Sequence, residues 1–292
     1  MPKLLKHLSK LFADDCKLIG VIKELGDVLE LQRDIDKLQE WAKTWQMSFN
    51  YDKCKVIHFG KNNRENVYTM KLGGNEVHTL EKTVLERDLG ILVSKDLKWG
   101  NQVDKAIKSA NSVIAQIKNS FTYFDAELVK LLYVSLVRPH LEYAVSVWNP
   151  YLRKDIEKLE SVQHRATRLV PKLRKDPYEQ RLKKLGLTSL EIRRQRGDMI
   201  QYYKSINKMD KISWSKEPRK LTLNKESCSG YSLRRQGASL YKEPITNCRI
   251  LLKQNCPGLE LAAYRRQRSQ ITKQFQGRFG QTQYVLNLRR LS

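Results

Sequence analysis

At 292 residues the chain has room for two or three domains, each with a core of its own. Its apolar fraction of 40% includes no run of 18 or more apolar residues, which argues against a membrane-spanning helix. The formal net charge of +24, from 55 Lys plus Arg against 31 Asp plus Glu, points to a polyanion partner.

That charge is unevenly spread. From Tyr151 to Ser292 there are 33 basic and 12 acidic residues, a net of +21, which leaves +3 for the first 150. Lys and Arg that neutralise phosphates release condensed counterions, so nucleic acid is the expected partner of the second half. The first ten residues are too few and too cationic for a signal peptide. Five cysteines, odd in number and without C-x-x-C spacing, argue against a disulfide framework and a zinc ribbon. An intracellular protein, nuclear or cytoplasmic, with no membrane contact and no zinc is expected. The sequence leaves its oligomeric state open.

In chain order, Leu11 to Ile19 places two short apolar runs around Asp14 and Asp15. This reads as a β-hairpin with an acidic tip, because Asp favours turns by bonding backbone two residues on. Paired carboxylates on a turn also suit Mg²⁺, which keeps waters and recruits substrate phosphates. Val28, Leu31, Ile35, Leu38, Ala42 and Trp45 recur at helical spacing, with Asp34, Asp36, Lys37, Glu40 and Lys43 on the other face. After an Asn50 to Lys53 turn come a strand at Lys55 to Gly60, a hairpin about Gly73-Gly74-Asn75, and a strand at Leu89 to Val93.

After Trp99 the period becomes helical. One helix runs from Val103 to Phe121 with Asn101 as N-cap, and a second, capped by Asp125, runs towards Pro139, which should kink or end it. A third runs from Lys154 to Leu169 and a fourth from Leu190 to Ile206. Periodicity fades beyond Lys208, and Ser213 to Gly237 is mixed basic, polar and glycine-containing. The fold class expected is α+β: residues 1–100 as strands with a packed helix, 101–210 all-helical, and 211–292 a basic, partly disordered appendage.

Phe12-Ala13-Asp14-Asp15 resembles the F/Y-x-D-D box of reverse transcriptases. The ordered segments that follow it are similar to those of jockey-like non-LTR retrotransposons: Leu38 to Trp41, Phe49 to Val56, Asp88 to Leu97, Leu136 to Ala144, Trp148 to Pro150 and Leu159 to Arg168. Weaker similarity continues at Gly230-Tyr231-Ser232 and Thr272 to Phe279.

The resemblance implies a partial polymerase palm in the first hundred residues and a thumb-like helical unit after it. Asp14 and Asp15 would be palm carboxylates holding Mg²⁺ for attack of a primer 3′-hydroxyl on a nucleotide α-phosphate. Lys53 would meet phosphate charge, and Gly90, in a primer-grip strand, would let backbone approach the primer. The thumb would hold an RNA template and DNA primer through their backbones. Arg165, Arg168, Lys172, Arg174 and Lys175, around the end of one helix, are the expected phosphate contacts.

The chain also departs from the family. Family polymerases carry a further metal-binding Asp on an earlier strand, and nucleotide-binding fingers, upstream of the box; here eleven residues precede it and Asp14 is the first acidic residue. The expectation is therefore a polymerase fragment that is inactive alone, or else a non-catalytic basic nucleic-acid-binding protein. With the upstream strand absent, one edge of the palm sheet should be uncovered. Other features carry less. His140 and His164 lack cysteine companions, and no histidine follows to complete a knuckle with Cys228, Cys248 and Cys256. Trp41, Trp45, Trp99, Trp148 and Trp214 read mostly as core. Tyr264 to Arg268 mixes aromatic and basic residues as single-strand binders do.

Overall fold

The computed structural model describes residues 5–60, 63–73, 76–210 and 282–289. It is α+β. The chain divides into two compact units, one of Met1–Gln195 with Thr272–Ser292 and one of Arg196–Ile271. The change from strands to helices near residue 100 thus falls inside the first unit. Expectations for Trp214, Cys228, Cys248, Cys256, Ser213 to Gly237 and Tyr264 to Arg268 lie outside the described residues, as do both weakly similar segments beyond residue 210.

The first strands form the expected hairpin: β1 (Leu8–Phe12) pairs antiparallel with β2 (Asp15–Val21), Phe12 opposite Asp15. Along β2 the residues Cys16, Leu18 and Gly20 are buried while Asp15, Lys17 and Ile19 are half-buried. This period of two turns one face towards α1 (Leu25–Thr44). Leu31, Ile35, Leu38 and Ala42 of α1 share a core with Cys16, Leu18, Val56 and Met70. Gly20 lets the helix approach closely, since a Cβ there would lie 3.0 Å from the His7 ring and 3.2 Å from Leu31. Trp45, expected on the buried stripe, falls beyond the helix and is 65% exposed.

Asp34 of α1 corrects the sequence reading more sharply. Expected on the polar face, it is 1% exposed and accepts hydrogen bonds from the backbone N–H groups of Lys6 (3.0 Å) and His7 (2.8 Å) and from His7 Nδ1 (2.9 Å). It ties the segment before β1 down onto the helix.

Next come β3 (Lys55–His58), β4 (Thr69–Gly73), β5 (Glu76–Thr79), β6 (Glu81–Thr83), β7 (Leu85–Asp88) and β8 (Ile91–Ser94). β4 and β5 make the expected second hairpin, and β7 and β8 a third. The strand expected at Leu89 to Val93 starts two residues later, at Ile91, and runs to Ser94, because Leu89 and Gly90 form the β7–β8 turn.

The remaining strand, β9 (Thr282–Arg289), lies far along the chain from its partners. The main sheet has the order β1-β2-β9-β3-β6, with β9 antiparallel to both β2 and β3 and β6 parallel to β3. Residues 282–289 are thus a strand of the central sheet. The side of β2 away from β1 is paired along its whole length, from Asp15 opposite Arg289 to Val21 opposite Thr282, so that the outer strands of this sheet are β1 and β6.

The helices follow as α2 (Gly100–Ser120), α3 (Ala126–Leu132), α4 (Arg138–Glu142), α5 (Val145–Trp148), α6 (Arg153–Thr167), α7 (Tyr178–Leu185) and α8 (Leu190–Ile206). The N-cap of α2 is Trp99, with Asn101 already inside the helix. Asp125 does cap α3, accepting from Leu128 N at 2.7 Å. Pro139 neither ends nor breaks the helix: a five-residue π turn, Tyr133–Val137, links α3 to α4. There the N–H of Arg138 bonds to Tyr133 O, so the extra residue absorbs the misfit that proline's ring and missing donor impose. Ile91 of β8 joins Val103, Ala106, Val137, Trp148, Leu159 and Val162 in the helical core.

Candidate functional site

The acidic turn is built by two residues, Ala13 and Asp14, between the paired Phe12 and Asp15. Ala13 takes φ 50°, the left-handed region that two-residue hairpin loops require and that glycine fills more easily. Asp14 is exposed at the tip and Asp15 half-buried on the face of β2 that points away from α1. Cys16, the next residue, is buried against the core, and burial pushes its thiol up to about 11, so it is no nucleophile.

Two residues along that outward face, Lys17 pairs with Asp88, the last residue of β7. This ion pair docks the β7–β8 hairpin onto β2, on the side of the sheet that carries Asp15. Gly90 has φ +87° and Leu89 φ 43°, so both turn residues are left-handed. A Cβ on Gly90 would lie 3.3 Å from Tyr143 Cε1. Tyr143 Oη donates to Leu89 O at 3.0 Å and Lys105 Nζ to Gly90 O at 2.5 Å. Glycine is needed here by the turn and by the Tyr143 ring, which replaces the expected strand position. Burial, then the nearby Arg87, lowers the pKa of Lys105.

Lys53 is exposed on a 3-10 turn, Tyr51–Lys53, that Asn50 caps by accepting from Lys53 N at 3.3 Å. Strand register locates it relative to the carboxylates. Lys17 and Lys55 both pair with Asn287 from opposite sides, and β2 and β3 run in the same direction. Asp15, at the start of β2, and the 3-10 turn that carries Lys53, just before β3, therefore lie towards the same end of the sheet. Opposite Asp15 the register places Arg289 of β9. The strand beside the carboxylate turn thus brings a cationic residue to that position. Among the described residues there is no group of three or more His, Cys, Asp or Glu able to hold a metal ion. Asp14 and Asp15 still meet the lower requirement of Mg²⁺ for one or two carboxylates completed by substrate phosphates.

The five cations expected to contact phosphate lie apart from this turn, on the helices. Arg165 is exposed on α6 and donates from Nη1 to Asn111 Oδ1 of α2 at 2.9 Å. Arg168 caps the C-terminus of α6, Lys172 lies in the 3-10 turn Pro171–Leu173, and Arg174 and Lys175 follow it. All are exposed, while Val170 and Leu173 between them are buried with Val129 and Leu185. Apolar anchors thus hold a loop whose cations point outward. Among the described residues no carboxylate lies within ion-pair distance of Arg168, Lys172, Arg174 or Lys175.

No family model, no curated protein and no solved structure matches this chain.

Behind the basic loop is a polar cluster that sequence reasoning missed. Gln163 accepts from Tyr133 Oη at 2.6 Å and donates to Thr188 O at 3.0 Å. Glu160 accepts from Tyr178 Oη and from the first N–H groups of α8, Leu190 at 3.1 Å and Glu191 at 3.4 Å. Burial, and for Tyr178 also the bond to Glu160, raises both phenols, so they stay neutral donors. His164 packs on the Tyr178 ring at 4.8 Å between centroids, and burial followed by Arg181 and Arg168 lowers its pKa. The helix that completes this cluster, α7, went unread because its eight residues hold only two apolar positions on the buried side, Leu182 and Leu185. His140, by contrast, is exposed.

Proposed function

We propose that this chain is a palm-and-thumb part of a reverse transcriptase of non-LTR retrotransposon type that binds nucleic acid through its helical half and does not polymerise by itself. The observation carrying the binding half is the α6–α7 loop, where four exposed cations stand without carboxylate partners among the described residues on an apolar-anchored backbone. Such groups are free to replace condensed counterions along a phosphate backbone. The polymerase half is supported by the acidic hairpin at one end of a mixed, mainly antiparallel sheet, backed by α1 and flanked by the Leu89–Gly90 hairpin. Mg²⁺, when bound, would neutralise a nucleotide's phosphates; Asp14 and Asp15 are the groups that would hold it. The non-catalytic reading is favoured by one observation, the backbone register that pairs Asp15 with Arg289, a basic residue rather than a third carboxylate.

No helix among the described residues is long and apolar enough to cross a membrane. An intracellular setting, nuclear or cytoplasmic, fits this reading. Primer extension on an RNA template with Mg²⁺ tests the catalytic half. No product is expected; extension that Asp14→Asn abolishes would show that the chain polymerises. Duplex binding tests the other half: reversing charge at Arg168 and Lys172 should weaken it, and unchanged affinity would remove the helical surface from the proposal.

A further inference from the structure

We propose that Arg181 and Arg168 form a discrete site for one phosphate-class oxyanion at the junction of α6 and α7. Arg181 is drawn inward beside Leu182, and its residue is 1% exposed. Its Nε and Nη2 are buried and make no hydrogen bond among the described residues. The Tyr178 ring lies 5.6 Å from the guanidinium carbon, but a cation–π contact is weak beside the cost of burying an unpaired ion.

The nearby carboxylates are committed elsewhere. Asp176 pairs with Lys184 at 2.8 Å, and Glu160 is taken up by Tyr178 and the start of α8. What faces Arg181 is more positive charge. Burial and then Arg168 depress the Arg181 guanidinium, against smaller raising effects of Tyr178 and Asp176, and burial followed by Arg181 and Arg168 depresses His164. Two guanidiniums and an imidazole therefore lie close enough to repel one another, and among the described residues the carboxylate that acts on Arg181, Asp176, is already paired with Lys184. A tetrahedral oxyanion has the acceptors and the charge to relieve this, since the planar guanidinium fork matches phosphate oxygens two at a time. The site stands without the polymerase reading and goes beyond diffuse phosphate attraction: it fixes one oxyanion at one place. Its ligand is either free phosphate or a phosphodiester of nucleic acid.

Thermal unfolding of the full chain in inorganic phosphate, against chloride at equal ionic strength, tests the site. Phosphate should raise the wild-type midpoint, and Arg181→Met should abolish that response. In phosphate-free buffer Arg181→Met should unfold no lower than wild type, because the apolar stem stays while an unpaired charge goes. Arg168→Gln, at an exposed position, should weaken phosphate on the order of tenfold or more, as for loss of a charge-assisted bond. A parallel binding titration with a 20-nucleotide strand identifies the source. Affinity that falls in both variants assigns a phosphodiester, whereas unchanged affinity with a lost phosphate response assigns free phosphate. A phosphate response equal in wild type and both variants overturns the site. So does no response to phosphate together with oligonucleotide affinity unaltered by either substitution.

Discussion

Leu89 is the residue at which local preference and fold disagree most. It holds φ 43° in a turn where glycine or asparagine is usual, and at 40% exposure it gains little burial in return. A left-handed conformation costs a residue with a Cβ roughly 1–2 kcal/mol. Leu89→Asn should therefore stabilise the protein by about 1 kcal/mol, read as a higher urea midpoint at constant slope. Gly90→Ala should do the opposite, having both φ +87° and the Tyr143 ring to contend with. Asp34 is the second telling residue. Burial works to raise its pKa, but the bonds from His7 and Lys6 outweigh this and leave it below the ordinary value. A depressed folded pKa adds stability that is present above the unfolded value, near 3.9, and is lost as pH falls through the folded one. Asp34→Asn should cost about 1.5–3 kcal/mol at pH 7, the range for hydrogen bonds to a charged group. It should also narrow the gap between urea midpoints at pH 7 and pH 3; an equal gap in both proteins would remove Asp34 from the acid response.

Among the elements, α1 does more than cover the sheet. Gln32 exchanges two hydrogen bonds with the backbone of Thr69, at 3.0 and 2.9 Å, and Gln39 does the same with Lys71, both at about 3.0 and 2.9 Å. Two side chains seven residues apart thus act as a surrogate neighbouring strand for β4 and blunt its edge. Gln32→Ala should speed amide exchange at Thr69 and leave Lys71 protected, and Gln39→Ala should reverse the pattern. Equal acceleration at both amides would mean that β4 opens as a unit and the glutamines hold it only collectively. Much of this scale was legible in the sequence. The β1–β2 hairpin, α1, α6 and α8 follow from period and turn chemistry, which act locally. The surrogate strand, the buried Asp34 and the π turn were not, because each depends on a partner far along the chain or on accommodation of Pro139 by its neighbours. Nor was β9 legible, since a strand of eight residues announces its own conformation and says nothing of which two strands it will separate.

Across the whole molecule, charge divides the labour. Of the +21 carried from Tyr151 onward, the described stretch 151–210 accounts for 16 basic and 8 acidic residues. The sequence identified the cations that the α6–α7 loop exposes, because charge needs no partner to be read. It missed Arg181, whose burial is visible only once α7 is folded against α6. The carboxylate turn and the basic loop belong to different elements, so binding and the acidic hairpin should respond to different substitutions. A filter-binding salt titration with duplex nucleic acid tests this most directly. Affinity should fall by about 10³ to 10⁵ between 50 and 200 mM salt, as for roughly six to ten phosphate contacts, and the slope should flatten when Arg165, Arg168 and Lys172 are reversed. The double change Asp14→Asn with Asp15→Asn should leave binding intact or strengthen it. Affinity that is flat with salt, or that collapses when the two carboxylates are removed, would contradict the assignment of binding to the helical half.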